Sequence, residues 1–400
     1  MVKSVWRVPL AQLCCGLFLG SLCLQASCGI DFASSGGKQL VVPTQASVET
    51  VDIPLTPVEN QGRFGICWAY GTIGLIESSY KKRTGHEINL SEEAVAFYRL
   101  AELITETIHS SKNVPDLLNK IRFGYSEGFF SRILPEKKKQ GELDALDLVK
   151  KYGLVPETVW SVKISDPAEH AQLVGDLRRK TLSYISGRKF STVTVDDVIE
   201  NILIGSGPFQ SEPPRRFAWG GRNLSPQEFL RQVVGFDPDA FVAVEVDSEG
   251  ELDQFVTVIK KSLAAGYSVP FGFPINVDRI NGGNFTGDAV DLNDAQAFAR
   301  DGGHLVLISD FVNHGGSEGA VSAAELESEL ARLPQELSYF KLKNSWGLGL
   351  KRDESGREIS NSPDGYFRIF RSYLVGASRA AANGFLPLNA VVPQELASQR

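Results

Sequence analysis

The segment Gln61-Gly62-Arg63-Phe64-Gly65-Ile66-Cys67-Trp68 puts a carboxamide, two glycines and a thiol within one short stretch, the ingredients of a cysteine nucleophile. A thiol of ordinary acidity is mostly protonated at neutral pH. It becomes reactive when a helix N-terminus and a neighbouring imidazolium stabilise the thiolate. Gly65 would let the chain turn sharply into the helix and leave the sulfur accessible. Gln61 can donate its side-chain amide, together with the Cys67 backbone N–H, to the oxyanion of a tetrahedral intermediate; taken alone, it also reads as a polar turn residue. His304 follows Gly302-Gly303 and heads the apolar run Leu305-Val306-Leu307-Ile308, so the glycines open access to its ring while a strand holds it. That suits a general base and acid better than a satisfied core histidine. His314, the nearest rival, lies in the polar stretch Asn313-His314-Gly315-Gly316. Asn344, in Lys343-Asn344-Ser345-Trp346-Gly347, can accept a hydrogen bond from the imidazole and fix it without adding a negative charge, with Trp346 covering the bond from water. The bland reading of this last segment is a surface turn after a strand.

The elements that must carry these groups are readable in outline. Trp68, Ile73, Leu75, Ile76 and Tyr80 recur at roughly helical spacing, and Gly85 marks a stop, which predicts a helix over 67–83. Gly71 and Gly74 inside it suggest close packing against a neighbour. Ser91-Glu92-Glu93 offers an N-cap and an acidic first turn for a helix through about Thr107, and a third helix runs from Asp144 to Tyr152 before Gly153. Residues 163–250 read as polar and mostly helical, with Ser225-Pro226-Gln227-Glu228 starting one helix. Phe255–Leu263 reads as an amphipathic helix. Val269–Ile275, Leu305–Ile308, Tyr339–Leu342 and Tyr366–Ile369 read as strands of an antiparallel sheet or barrel. Helices first and strands later give an α+β fold of two domains with the cleft between them.

Cysteine, histidine and asparagine fall in the chain order of papain-like cysteine peptidases, and the sequence resembles that superfamily. Gln140-Gly141-Glu142-Leu143-Asp144, Tyr152-Gly153-Leu154-Val155-Pro156-Glu157 and Ser225–Asp247 resemble its bleomycin hydrolase-like branch. The 237 positions from Cys67 to His304 exceed the roughly 130–150 of papain's nearest relatives, which the 163–250 insertion explains. The resemblance implies a helical left domain bearing the nucleophile (51–162), a β-rich right domain bearing His304 and Asn344 (251–390), and a tail (391–400). It implies peptide-bond hydrolysis through a thioester acyl-enzyme, a peptide or protein substrate, no cofactor and no metal. Two departures stand out. Phe64 occupies the position of a disulfide cysteine, which agrees with the bleomycin hydrolase-like branch, and Gln140-Gly141 replaces a glycine pair that lets substrate backbone approach the cleft.

Composition bounds the rest. Four hundred residues, 42% hydrophobic and 22% charged, suit a globular protein of two domains. A formal charge of −7, no basic tract and five scattered histidines give no support for nucleic-acid binding or a zinc site. Lys3 and Arg7 precede an apolar stretch from Val8 to Leu24 that ends in Ala26-Ser27, an export signal over 1–27; broken by Pro9, the stretch is short for a bilayer anchor. Leu24-Gln25-Ala26-Ser27-Cys28 resembles a bacterial lipoprotein processing site, with Cys28 lipidated and 28–50 a flexible tether. That implies an exported protein, periplasmic, outer-membrane-attached or extracellular in a bacterium, with too little chain before the body for a long inhibitory propeptide. Cys14, Cys15, Cys23 and Cys28 all belong to this leader, so Cys67 stands alone in the body, and a lone exported thiol argues for chemistry. Two further readings are a catalytically weak papain-fold protein that binds peptides, with insertions at 105–140, 163–250 and 313–337 reshaping the cleft, and a transglutaminase-like or amidase acyl transferase. The second gives no reason for Gln61 or Asn344-Ser345-Trp346.

Overall fold

A computed structural model describes residues 53, 55–62, 65–124, 141–163, 167–246, 248–287, 294, 296–299, 302–319, 325–352 and 358–398. The export signal, the tether with Cys28, Phe64 and Gln140 lie outside the described residues. Among those described, no helix is long and apolar enough to cross a membrane.

Five longer helices lead the chain: α1 (Cys67–Thr84), α2 (Glu92–His109), α3 (Val114–Gly124), α4 (Gly141–Tyr152) and α5 (Pro167–Ile185). Local chemistry fixes their ends. Gly85, at φ 73°, takes the left-handed turn that closes α1, its N–H returning to Lys81 O. Ser91 caps α2 by accepting from Ala94 N, and Gly153, at φ 79°, stops α4. Ser225 and Glu228 form a reciprocal capping box around Pro226, as their spacing predicts.

An eight-stranded sheet runs in the order β3-β12-β4-β7-β8-β11-β6-β5. Its strands are β3 (Phe241–Val246), β4 (Val269–Pro274), β5 (Ile280–Asn281), β6 (Asn284–Phe285), β7 (Gly303–Asn313), β8 (Leu337–Lys343), β11 (Tyr366–Phe370) and β12 (Leu388–Pro393). Neighbours are antiparallel except β11 and β6. Two hairpins stand apart, β1 (Phe217–Trp219) with β2 (Arg222–Leu224) and β9 (Gly349–Arg352) with β10 (Glu358–Ser362). Residues of β7 alternate between two cores, as a strand buried on both faces must. Leu305 and Leu307 join Trp68, Ile73, Phe97 and the helices. Val306 and Ile308 join Phe271, Phe340 and two helices on the far side, α6 (Leu252–Ala264) and α7 (Arg371–Ala382).

Two boundaries need correction. The helical insertion does not extend to 250, because 241–246 is the edge strand β3, paired along its length with β12. The insertion packs into the helical core, where Leu173, Ile199, Phe209 and Phe229 join Trp68 and Phe97. The tail does not begin at 391, since Val391 and Val392 are buried strand residues, followed among the described residues by the short helix Gln394–Ala397.

Candidate active site

Cys67 is the first residue of α1, buried at 5% exposure and not part of a disulfide. The first turn of α1 carries no acidic residue and the last carries Lys81, Lys82 and Arg83. The positive end of an 18-residue helix therefore meets the sulfur without a competing carboxylate, which favours the thiolate.

The glycines of α1 set its seat on the sheet. A Cβ on Gly71 would come within 2.0 Å of Leu305 Cδ2, and one on Gly74 within 2.8 Å of Leu307 Cδ2. Helix and strand thus advance together. Cys67, one helical turn before Gly71, therefore lies toward the end of β7 that carries Gly303 and His304.

His304 sits at the start of β7 at 1% exposure, paired across the sheet with Phe273. Its Nε2–H donates to Asn344 Oδ1 at 2.9 Å. With Nε2 carrying that proton, Nδ1 is the ring nitrogen to which a thiol proton can pass. Trp346 stacks on the imidazole with ring centroids 4.8 Å apart, and Phe273 meets it edge-on at 6.0 Å. Trp346 and Asn344 are each 1% exposed, so the bond lies in a dry environment where its orienting effect is strongest.

Gln61 is locked to the segment that carries Asn344. Its N–H donates to Ser345 O at 2.8 Å, and Ser345 Oγ donates to Gln61 Oε1 at 2.5 Å. The carboxamide oxygen being an acceptor there, Nε2 is the end of Gln61 that donates outward. Gly62, at φ 60°, makes the turn, and its N–H donates to Asn60 Oδ1. Asn60 bridges to Trp346, and Gly347 N–H donates to Glu59 O at 3.0 Å. His304 and Asn344 are brought together by a direct hydrogen bond, Gln61 is tied to the adjacent Ser345, and Cys67 opens the helix that packs on β7.

Behind Asn344 lies a group of buried charges that the sequence reading missed. Lys343 Nζ donates to Thr56 Oγ1 at 2.9 Å, Thr56 Oγ1 donates to Glu77 Oε2 at 2.6 Å, and Leu90 N–H donates to Glu77 Oε1 at 2.8 Å. Burial pushes the Glu77 carboxyl up to about 7, against the pull of Lys343, and burial pushes the Lys343 ammonium down. Glu92 is raised well above the ordinary range, first by burial and then by Glu59, Glu77 and Glu93. Among the described residues its Oε2 has no hydrogen-bond partner, and it lines a cavity of about 20 Å³ with Glu59, Tyr70, Glu77, Lys343 and Asn344. One signal was available: Glu77 falls on the buried stripe of α1 with Tyr70 and Ile73, where a charge is out of place.

Comparison with known proteins bears on the segment around Cys67 and on the fold. The profile of the papain family cysteine proteases matches residues 42–96. Ananain of Ananas comosus is 49% identical over 41 residues, 10% of this chain and 12% of ananain. Cathepsin K of Gallus gallus is 40% identical over 43 residues, 11% of this chain and 13% of that protein. These matches therefore span only about an eighth of those relatives' length. In architecture the chain is similar to the crystal structure of pepw from Lactobacillus rhamnosis, with a TM-score of 0.55 and 15% identity, covering 88% of this chain and 83% of that one. At that identity the likeness speaks for the fold. Residues 42–96 are thus similar to the papain family cysteine proteases, and the fold of the chain is similar to that of pepw.

Proposed function

We propose that this chain is a cysteine peptidase that hydrolyses peptide bonds through a thioester acyl-enzyme. The observation that carries the reading is the His304–Asn344 hydrogen bond under Trp346, supported by a thiol that opens a helix packed on the strand of His304. In this reading the Cys67 thiol proton passes to His304 Nδ1, and the thiolate attacks the scissile carbonyl carbon. Gln61 Nε2 and the Cys67 backbone N–H donate to the oxyanion that forms. The imidazolium protonates the departing amine, leaving a thioester, and a water activated by His304 then releases the acid. Asn344 holds the ring throughout and takes no proton.

The reading extends to substrate and place. The substrate is a peptide or protein, and the nearest relationship is to the bleomycin hydrolase-like branch, supported by the long stretch between Cys67 and His304. The leader motif supports export to a bacterial envelope with Cys28 lipidated. Incorporation of labelled fatty acid in a bacterial host, lost in Cys28→Ala, is the expected outcome; equal incorporation by both would remove the lipid anchor from the proposal.

The deciding experiment is reaction with a peptidyl epoxide or vinyl electrophile, followed by mass mapping. Modification of Cys67 with parallel loss of peptide hydrolysis is expected, and Cys67→Ser should not react. A chain that binds peptides yet is never modified would instead be the peptide-binding, catalytically weak form of the fold.

A further inference from the structure

The buried polar network behind Asn344 touches three of the segments that carry the candidate site, those of Gln61, Cys67 and Asn344. Thr56 lies on the segment leading to Gln61, Glu77 on the helix that Cys67 opens, and Lys343 directly before Asn344. Leu90 adds the start of α2 through its N–H to Glu77. Stability alone explains such an arrangement poorly, because a buried ion pair replaced by apolar groups of similar volume is often neutral or stabilising. What a hydrogen-bonded buried network does well is hold several chain segments in one geometry.

We propose that Lys343 is a positioning residue: through Thr56 and Glu77 it fixes the end of β8, and so Asn344 and the His304 ring, relative to the helix that presents Cys67. The proposal rests on the peptidase reading above. Lys343, the last residue of β8, and Asn344 next to it join two networks beside one polar cavity: Asn344 pairs with His304, while Lys343 donates to Thr56. The anchor is well held at its far end, since Glu77 is 3% exposed and has both carboxylate oxygens occupied. A shift of the imidazole by a fraction of an ångström is enough to matter, because misplacing a reacting group by about 1 Å can cost on the order of 100-fold in rate.

The test separates charge balance from position. The double variant Lys343→Met/Glu77→Gln removes both charges together and keeps side-chain volume, and Thr56→Val removes only the middle hydroxyl. Reaction of Cys67 with an epoxysuccinyl peptide is followed to give KI and kinact, beside circular-dichroism melts. Both variants should fold, bind the probe with unchanged KI, and lose roughly tenfold or more in kinact, with kcat for peptide hydrolysis falling in parallel at unchanged KM. Folded variants with the wild-type kinact would overturn the positioning role and leave the peptidase reading intact. A wild-type chain that is not modified at Cys67 would overturn the peptidase reading itself and the positioning role with it.

Discussion

Asn344 and Gln61 act on the same reaction by different physics, and their variants should therefore fail differently. Asn344 is a neutral acceptor for His304 Nε2–H in a site closed over by Trp346, so Asn344→Ala leaves a buried ring N–H without its partner. A hydrogen bond to a group that becomes charged is worth about 1.5–3 kcal/mol, or roughly 10- to 100-fold in rate. The expected result is that loss in kcat/KM together with slower modification of Cys67 by iodoacetamide, since the thiolate–imidazolium pair is itself disturbed. Gln61 enters only when an oxyanion forms. Gln61→Ala should cost about 3–4 kcal/mol in kcat while leaving the iodoacetamide rate close to wild type, because alkylation passes through no tetrahedral oxyanion. Equal losses in both assays for Gln61→Ala would mean that its bond to Ser345, rather than oxyanion donation, is what the site uses.

At the scale of elements, the contact of α1 with β7 sets the distance between sulfur and imidazole, and it depends on two missing side chains. Gly71→Ala must displace Leu305, whose Cδ2 would lie 2.0 Å from the new Cβ. Overpacking of that kind costs about 1–3 kcal/mol, more than the roughly 1 kcal/mol that alanine gains in helix propensity. Gly71→Ala should therefore lower the melting temperature and depress activity, and Gly71→Ala/Leu305→Ala should recover part of the activity; no recovery would show that the helix seat does not control the site. The value of these glycines was legible in the sequence as small residues on an otherwise apolar helix. So were the glycine stops after α1 and α4, the Ser91 cap of α2 and the capping box at Ser225, because caps and periodicity are local, whereas the start of α4 at Gly141 precedes the Asp144 that the sequence suggests. The strand β3 was not legible. Phe241-Val242-Ala243-Val244-Glu245-Val246 alternates as a strand should, but it follows a helical stretch, and its partner β12 lies near the far end of the chain. Strands of two residues such as β5 and β6 leave no periodicity to read. For the candidate site, the sequence singled out Cys67, His304, Asn344 and Gln61 through their neighbours, and the structure hydrogen-bonds His304 to Asn344. Thr56 and Lys343 were not legible, since pairing across sequence-distant segments leaves no local signature, and Glu77 showed only as a charge among the apolar positions of its helix.

For the molecule as a whole, the buried acidic groups between α1, α2 and β8 set how stability changes with pH. Glu77, Glu92 and Glu93 are all raised, burial being the first cause in each, with Glu77 at about 7. A carboxyl that keeps its proton longer in the folded chain contributes stability fully below its unfolded value of 4.5, and that contribution is lost as pH rises through the folded value. Against this run the exposed carboxylates Asp197, Glu228, Glu249 and Glu336, lowered mainly by hydrogen bonds to backbone or arginine, whose contributions disappear in acid. Being solvent-screened, they are the weaker set. Thermal stability should accordingly peak in mildly acidic solution and decline as pH climbs from about 5 toward 8. Glu92 is the sharpest probe of this slope, since its Oε2 has no partner among the described residues while Lys163 already serves Glu59, Glu93 and Glu157. Glu92→Gln keeps the shape and removes the charge. Its effect should be smallest at pH 5 and grow as pH rises, with the melting temperature higher by a few degrees at pH 8, because burial disfavours the ionised carboxyl that glutamine cannot form. Scanning calorimetry at the two pH values decides the point. If the variant instead melts lower than wild type at pH 8 by more than it does at pH 5, the Glu92 carboxylate is ionised and favourably held in the folded protein, and the acid-side maximum must come from other groups.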